Sequence, residues 1–250
     1  MPAMLQDWFE VPTDAGVLRL RRTLHPRARR LRLNVDAGGA RLTWPPGTPV
    51  AQAQRFVRQN ADWLRRKLAE LQLPAASQRL RVGQPDHLPL RGQSLHLRWR
   101  DGRYPALLAD DEALHLQLPA HSARPLVLAQ RLLRGFLEAE LRRDCARALT
   151  QLVPRLGLAP SALKVRPLKT LWGSLDTRDC ITLDLALALA PPAAARYVLA
   201  HELAHLRVRN HSARFWSQVA QLDADYAEQR EWLRRHGAHL KSELLRLLGG

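Results

Sequence analysis

The sequence feature that most constrains the fold is a pair of histidines with a glutamate between them. Residues 201–205 read His-Glu-Leu-Ala-His, and a third histidine follows at position 211. On an α-helix, His201 and His205 lie one turn apart on the same face, so both imidazoles can reach a single metal ion. Histidines at this spacing are typical of zinc sites. The pattern therefore predicts a helix over these residues and a zinc site on one of its faces.

His211 can bind the same ion only if the helix ends soon after His205. A continuous helix would carry His211 about 15 Å along the axis from His201. Ligand nitrogens on one zinc ion lie within about 4 Å of each other. Asn210 tolerates a left-handed backbone at a helix end, and Ser212 is a favoured N-cap for a following helix. The sequence thus predicts that His211 lies in a turn and completes a site with three histidine ligands.

Glu202 is predicted to be the general base and not a ligand. Three histidine ligands leave a fourth coordination position open, which is typical of a catalytic zinc site. A carboxylate beside that position can accept a proton from the attacking water and return it to a leaving group. The surrounding residues are mostly apolar, so the helix is expected to be buried, and buried His and Glu need partners. The structural alternative is a core helix with two satisfied histidines.

The wider pattern around this motif resembles a known family. Residues 201–216 read HELAHLRVRNHSARFW, and Trp172, Gly173 and Ser174 lie upstream. This combination is similar to the YgjP-like metallopeptidases, which are relatives of the SprT-like and WLM peptidases in the zincin group. The resemblance extends over nearly the whole chain, and its further positions are Arg27 to Leu33, Phe56, Trp63, Lys169 to Leu171, Asp225 and Tyr226.

The resemblance implies a zincin-like metallopeptidase domain in the C-terminal half, with zinc as the cofactor and a peptide or protein as the substrate. Zincins commonly bind an extended substrate along an edge strand beside the metal helix, and residues 170–183 are the best candidate for that strand. Trp172, Gly173 and Ser174 are therefore candidate substrate-side residues, although Trp172 could equally be a packing residue. Tyr226 is a candidate hydrogen-bond donor to a developing oxyanion.

Three positions depart from the pattern of that family. Leu171 stands where the family usually has Arg, Leu175 where it has Cys, and Asp184 where it has Asn. The metal motif itself is intact, so the departures concern substrate handling. The metzincins share the spacing of the third histidine but require a glycine at the position of Val208 and a methionine turn after the helix. The chain has its only two methionines near the N-terminus, which excludes that group.

The pattern of apolar residues predicts an α+β fold with a β-rich N-terminal half. Short strands are predicted over residues 8–44 and 94–118, and a helix that Pro74 ends lies between them. Residues 75–88 are expected to be a polar connection. A long helix is predicted from about residue 124 to 153, and the metal helix and further helices follow it. No internal repeat is apparent.

We expect a β-rich region with one helix over residues 1–120 and a zincin-like region over residues 121–250, together forming one compact unit. The histidines outside the motif lack partners at ligand spacing. His96 and His115 alternate with leucines, so both are predicted to lie on the solvated face of a strand.

The net charge of +16 raises the question of a nucleic-acid partner. Arginine outnumbers lysine 35 to 4, and the arginines are spread along the chain. A GC-rich genome would produce the same bias whatever the function. A solvated basic surface is therefore one explanation of the charge, and nucleic-acid contact through that surface is the other.

The termini and cysteines favour a cytoplasmic protein without a membrane partner. The N-terminus lacks a basic segment followed by an apolar run, and the longest apolar stretch, residues 185–195, contains Pro191 and Pro192. Cys145 and Cys180 are the only cysteines, which supports neither a disulfide framework nor a cysteine zinc site. The sequence does not indicate an oligomeric state.

Two other functions remain open at this point. Metal-dependent hydrolysis of UTP to release pyrophosphate has been associated with members of the family, although the chain has no glycine-rich phosphate loop. The third function is a basic nucleic-acid-binding module with a structural zinc. That zinc would need a fourth protein ligand, and Asp223 or Asp225 could supply it. The occupant of the fourth coordination position distinguishes a catalytic from a structural zinc.

Overall fold

The computed structural model describes residues 8–36, 39–71, 79–110 and 113–249. It confirms the α+β class. The strands are β1 Trp8–Thr13, β2 Gly16–Leu24, β3 Arg32–Asp36, β4 Gly39–Trp44, β5 Asp86–Leu90, β6 Gln93–Asp101, β7 Ala106–Ala109, β8 Ala113–Leu118, β9 Ala162–Arg166, β10 Gly173–Leu175 and β11 Cys180–Asp184. The helices are α1 Val50–Gln59, α2 Ala61–Leu71, α3 Pro125–Leu156, α4 Pro192–Ala204, α5 Ala213–Leu222 and α6 Tyr226–Leu248, with a short 3-10 helix at Leu185–Leu189.

Internal contacts divide the chain into two units, residues 1–77 and residues 78–250. In the first unit a four-stranded sheet of order β1-β2-β4-β3 packs against α1 and α2. Alternating apolar residues of the strands and one face of each helix form its core, which includes Val11, Leu20 and Leu42. The division into regions 1–120 and 121–250 stays a prediction.

The second unit contains two sheets and the four α-helices α3 to α6. A four-stranded sheet of order β5-β6-β8-β7 packs against α3, and a smaller sheet has the order β10-β11-β9. Helix α4 contacts α3, α5, α6 and β10. It therefore lies inside the apolar core, as its sequence predicts.

The two four-stranded sheets share one topology and one register, so the chain contains a structural repeat that the sequence did not reveal. In each sheet the first two strands form an antiparallel hairpin, the second and fourth strands are parallel, and the third and fourth are antiparallel. Leu24 is opposite Trp44 in the first sheet, and Asp101 is opposite Leu118 in the second. The repeat conserves strand geometry and not residue identity.

The equivalent core positions are apolar in both sheets but differ in residue type. Val11 in β1 corresponds to Leu88 in β5, and both are fully buried. Ala40 in β4 corresponds to Leu114 in β8, and both are buried as well. Alternation of apolar residues is enough to specify such a strand face, and many different sequences have that alternation. The repeat is therefore not visible as similarity between the two sequences.

Several elements differ from the sequence-based predictions. Residues 86–90 form strand β5 where a polar connection was expected, because they pair with β6. The helix predicted up to Pro74 is interrupted at Asn60, whose side-chain amide donates to the carbonyl of Phe56 at 2.8 Å. The prediction for His115 was wrong: the residue is 3% exposed, since β8 is an inner strand with both of its faces covered.

None of the helices in the described ranges is both long and apolar enough to cross a membrane. Cytoplasmic localisation stays a prediction.

The two cysteines provide a test of the packing around α3 and β11. Cys145 and Cys180 are both buried and unpaired, and burial raises the pKa of Cys145 to about 12. A thiol that is both protonated and inaccessible reacts slowly. We expect a thiol reagent such as DTNB to modify neither cysteine in the folded protein and both in guanidinium chloride. Rapid modification of one thiol under native conditions would contradict this packing.

Candidate metal centre

The end of α4 determines where the three histidines lie. Helix α4 ends at Ala204, and His205 is its C-cap residue with right-handed helical backbone angles. The amides of Leu206 and Val208 donate to the carbonyls of Leu203 and Ala204 at 3.0 Å, so the chain turns immediately after the second histidine. The predicted helix end is therefore confirmed.

The details of this turn differ from the prediction. Asn210 does not have the left-handed backbone that was expected. Its side-chain oxygen instead accepts from the amide of Ser212 at 3.3 Å, which stabilises a tight turn. Ser212 is the N-cap residue of α5, as predicted, although its side chain makes no capping hydrogen bond. His211 lies within this turn.

The three imidazoles converge on one point. One ligand nitrogen from each of His201, His205 and His211 lies within 4.8 Å of the others. The Nε2 atoms of His201 and His211 are 3.1 Å apart. Two ligands in a tetrahedral zinc site with bonds of about 2.1 Å would be about 3.4 Å apart. The donor set and its spacing therefore fit a zinc ion.

The protonation of the imidazoles also suits a metal site. Burial lowers the pKa of His201 to about 4 and lowers the pKa of His205 as well, so both rings are neutral near pH 7. The Nδ1 atom of His205 donates to the carbonyl of Val208 at 3.0 Å, which leaves the lone pair of Nε2 available to a cation. The Nδ1 atom of His201 is buried and has no hydrogen-bond partner.

Aromatic side chains of α5 form one wall of the cluster. The ring of Phe215 is fully buried. Its centroid lies 4.4 Å from the ring centroid of His205 and 4.8 Å from that of His211. Trp216 stacks on His211 at 5.9 Å and on Tyr226 at 5.7 Å. Rings packed this closely restrict the rotation of the imidazoles, so the histidines are held in place.

Glu202 lies on the same helix as the ligands but outside their cluster, since only the three histidines group together among the described residues. Its side chain is 5% exposed, and burial raises the pKa of its carboxyl group to about 7. Gly173 of β10 packs directly against it: a Cβ atom at that position would be 2.6 Å from Glu202 Oε1. Strand β10 is therefore the nearest wall of the carboxylate.

The Trp-Gly-Ser segment contains one packing residue and an edge strand. The Trp172 ring lies against α6, where a Cβ atom on Gly237 would be 2.5 Å from its Cζ2 atom and the ammonium of Lys241 is 4.5 Å from its centre. Gly173 and Ser174 belong to β10, which pairs with β11 on one side and with no other described strand. The substrate-side roles of these residues and of Tyr226 stay predictions.

Asp184, one of the three positions that depart from the expected family pattern, forms a buried ion pair. Asp184 is 1% exposed, and its carboxylate forms an ion pair with Lys241 and accepts from the amides of Leu168 and Ala186. Lys241 also donates to the carbonyls of Leu168 at 2.8 Å and Leu171 at 3.0 Å. The pair thus connects α6 to the segment before β10 and to the end of β11.

Arg209 anchors the turn that carries His211. Its guanidinium donates to the side chain of Asp179 at 2.6 Å and to the carbonyl of Asp176 at 3.2 Å, both in the connection between β10 and β11. Asp176 in turn accepts from the amides of Arg178 and Cys180. This contact links the ligand turn to the candidate substrate strand.

Sequence reasoning missed Lys241, Gly237 and Arg209, although two of them carry a signal. Lys241 is one of four lysines in a chain with 35 arginines, so a lysine in that place is unusual for this composition. A glycine inside a long helix costs about 1 kcal/mol relative to alanine, which indicates a close approach at Gly237. Arg209 has no comparable signal among so many arginines.

A family model described as "YgjP-like, metallopeptidase domain" matches residues 29–236. The chain belongs to the YgjP-like metallopeptidase family. The match covers most of the sequence, including α1 and the complete motif from His201 to His211, and it confirms the resemblance found in the sequence. Membership supports a metal-dependent hydrolase. No curated protein matches the chain.

Two solved structures show partial similarity. The zymogen of the metallopeptidase abylysin from Pyrococcus abyssi has 26% identity over 37% of this chain and 90% of its own, with a TM-score of 0.32. The zymogen of jannalysin from Methanocaldococcus jannaschii has 16% identity over 36% of this chain and 95% of its own, with a TM-score of 0.31. TM-scores this low do not establish a shared fold over the chain.

The Asp184–Lys241 pair gives a stability prediction. Lys241→Met leaves the buried Asp184 carboxylate without its counter-ion, and breaking a buried pair in this way costs about 3 kcal/mol or more. We expect the free energy of unfolding in urea to fall by about that amount. Lys169→Met, at an exposed lysine, should change it little.

A second substitution distinguishes the lost ion pair from lost packing. Adding Asp184→Asn to Lys241→Met removes the unpaired charge while it retains a hydrogen-bond acceptor. The double variant should therefore be more stable than Lys241→Met alone. Additive losses from the two substitutions would show that the ion pair is not what stabilises this contact.

Proposed function

We propose that this protein is a zinc-dependent metallopeptidase in which His201, His205 and His211 hold the ion and Glu202 is the general base. The single observation that supports this assignment is the convergence of three imidazole nitrogens within 4.8 Å, next to a buried carboxylate on the same helix. Membership in a metallopeptidase family supports the reaction class.

Glu202 performs the proton transfer in this proposal. Its carboxylate accepts a proton from the attacking water and returns it to the leaving amine. A pKa raised to about 7 by burial suits a group that must both accept and release a proton near neutral pH. Zinc, when bound, supplies Lewis-acid polarisation of the scissile carbonyl and lowers the pKa of water.

Strand β10 is the proposed substrate edge. It contacts α4 and has no described strand on its outer side, so an extended peptide can add to it as a further strand. Gly173 places backbone and not a side chain against Glu202. A peptide bond beside Gly173 would then lie near Glu202. This favours an extended peptide over a small molecule as the substrate.

The other two functions have less support. A structural zinc needs a fourth protein ligand, and among the described residues neither Asp223 nor Asp225 joins the histidine cluster. For UTP hydrolysis, a carboxylate-rich magnesium site would be expected, and the described ranges contain no group of carboxylates that could hold a metal ion. Assaying UTP beside the protein substrates tests the pyrophosphatase alternative.

Glu202→Gln and His205→Ala separate catalysis from metal binding. Glu202→Gln keeps the shape of the side chain but cannot accept the proton, so turnover should fall about a hundredfold or more with unchanged zinc content. His205→Ala should lose zinc and lower the melting temperature, because metal binding is coupled to folding. Zinc is measured by elemental analysis, and casein, a DNA-bound protein and UTP serve as parallel substrates.

Matched controls are available at Glu138→Gln and His121→Ala, which lie outside the cluster. Both should keep wild-type activity and zinc content. Loss of zinc from Glu202→Gln would make Glu202 a ligand and would refute the proposed ligand set. Full activity of Glu202→Gln would remove this residue from the mechanism.

Gly173→Ala tests the contact between β10 and the base. The added methyl group would be 2.6 Å from Glu202 Oε1 and 2.8 Å from its Cγ, so the carboxylate must move. We expect turnover to fall at least about tenfold, since a small displacement of a catalytic group is costly, while zinc content stays constant. Gly135→Ala is the matched control, because a Cβ there meets no other atom. Equal activity of Gly173→Ala and wild type would contradict the proposed role of Glu202 at this wall.

A further inference from the structure

The first unit carries a cluster of arginines that is separate from the three histidines of the candidate metal centre. Arg27, Arg29 and Arg30 lie in the connection between β2 and β3, Arg32 begins β3, and Arg55 lies on α1. All five side chains are exposed. We call this set the arginine cluster.

The arginine cluster lines two surface clefts. One cleft of about 520 Å³ is lined by Arg27, Arg29, Arg30 and Arg32 among its residues. The other, of about 480 Å³, is lined by Arg29, Arg30 and Arg55 among its residues. Neither lining contains a carboxylate.

Some arginines elsewhere in the described chain form ion pairs with carboxylates, which the arginine cluster does not. Arg91 bonds to Glu140 and Asp144, and Arg246 bonds to Asp86 and Glu243. No guanidinium group of the arginine cluster forms a hydrogen bond or ion pair with a described residue. Several guanidinium groups held close together without counter-charges repel one another, so the cluster costs stability and is suited to an external anion.

The structural repeat shows that the fold does not require this segment. The second sheet makes the equivalent connection, between β6 and β7, with the four residues 102–105, of which only Arg103 is basic. The first sheet uses the seven residues 25–31, which include three arginines. Since the same topology and register form with the shorter connection, the sheet does not require the extra length and charge of residues 25–31.

We propose that the arginine cluster binds the sugar-phosphate backbone of nucleic acid without reading its sequence. Guanidinium groups bind phosphate oxygens through paired hydrogen bonds. Five such groups over two adjoining clefts match a chain of phosphates better than one small anion. Two aromatic side chains line the clefts, the half-buried Phe56 and the exposed His25, against five arginines. Contacts to phosphate therefore outnumber stacking contacts to bases.

Fluorescence anisotropy with a labelled oligonucleotide of about 20 nucleotides, single-stranded and duplex, tests this proposal on the zinc-loaded full chain. The variant Arg27→Gln/Arg29→Gln/Arg30→Gln removes three phosphate contacts. We expect its affinity to be at least about tenfold weaker than wild type at low salt. The slope of log affinity against log salt for single-stranded DNA should become shallower by about 2, since each contact contributes about 0.7.

The matched control removes the same charge from the second unit. Arg98, Arg131 and Arg134 are exposed and have no partner among the described residues. Arg98→Gln/Arg131→Gln/Arg134→Gln should weaken binding by less than about twofold. Equal losses in the two triple variants would overturn the proposal, because they would show that only net charge matters.

Competition with an acidic polymer decides the chemistry of the partner. Binding of poly-glutamate as tightly as the oligonucleotide at equal salt would overturn the assignment to nucleic acid and favour an acidic protein.

Glu202→Gln should bind the oligonucleotide as wild type does. Failure of the proposed hydrolase therefore leaves this inference intact, and failure of binding leaves the hydrolase intact.

Discussion

The convergence of the three histidines depends on the burial of α4 and on its end at Ala204. A buried helix holds His201 and Glu202 away from water, which keeps the imidazole neutral and raises the carboxylate pKa to about 7. The chain then turns at once, so His211 returns to within hydrogen-bond distance of His201. One more turn of helix would move His211 away and destroy the cluster.

Contacts from elements far along the chain hold this arrangement. Lys241 of α6 neutralises Asp184 and fixes the carbonyls before β10, while Arg209 joins the ligand turn to the β10–β11 connection. The β10–β11 connection and the turn that carries His211 are therefore attached to each other. Asp184 is the buried member of this pair, and Lys241 supplies its counter-charge.

Comparison of the two equivalent sheets shows which features the sheet topology requires and which it does not. Both copies satisfy the same alternation of apolar residues, so their cores say little about function. The longer, arginine-bearing connection occurs in only one copy. A difference between two otherwise equivalent structures is a better indication of function than the overall charge of +16, which composition alone can produce.

The sequence by itself determined the α+β class, the metal motif, the helix end after His205 and the family, because ligand spacing and apolar periodicity are local properties. It did not predict the interruption at Asn60 or the burial of His115, which depend on pairing and packing between distant strands. Only the tertiary structure decided which residues support the site. Lys241 meets Asp184 across 57 residues of chain, and no local pattern specifies a contact of that separation.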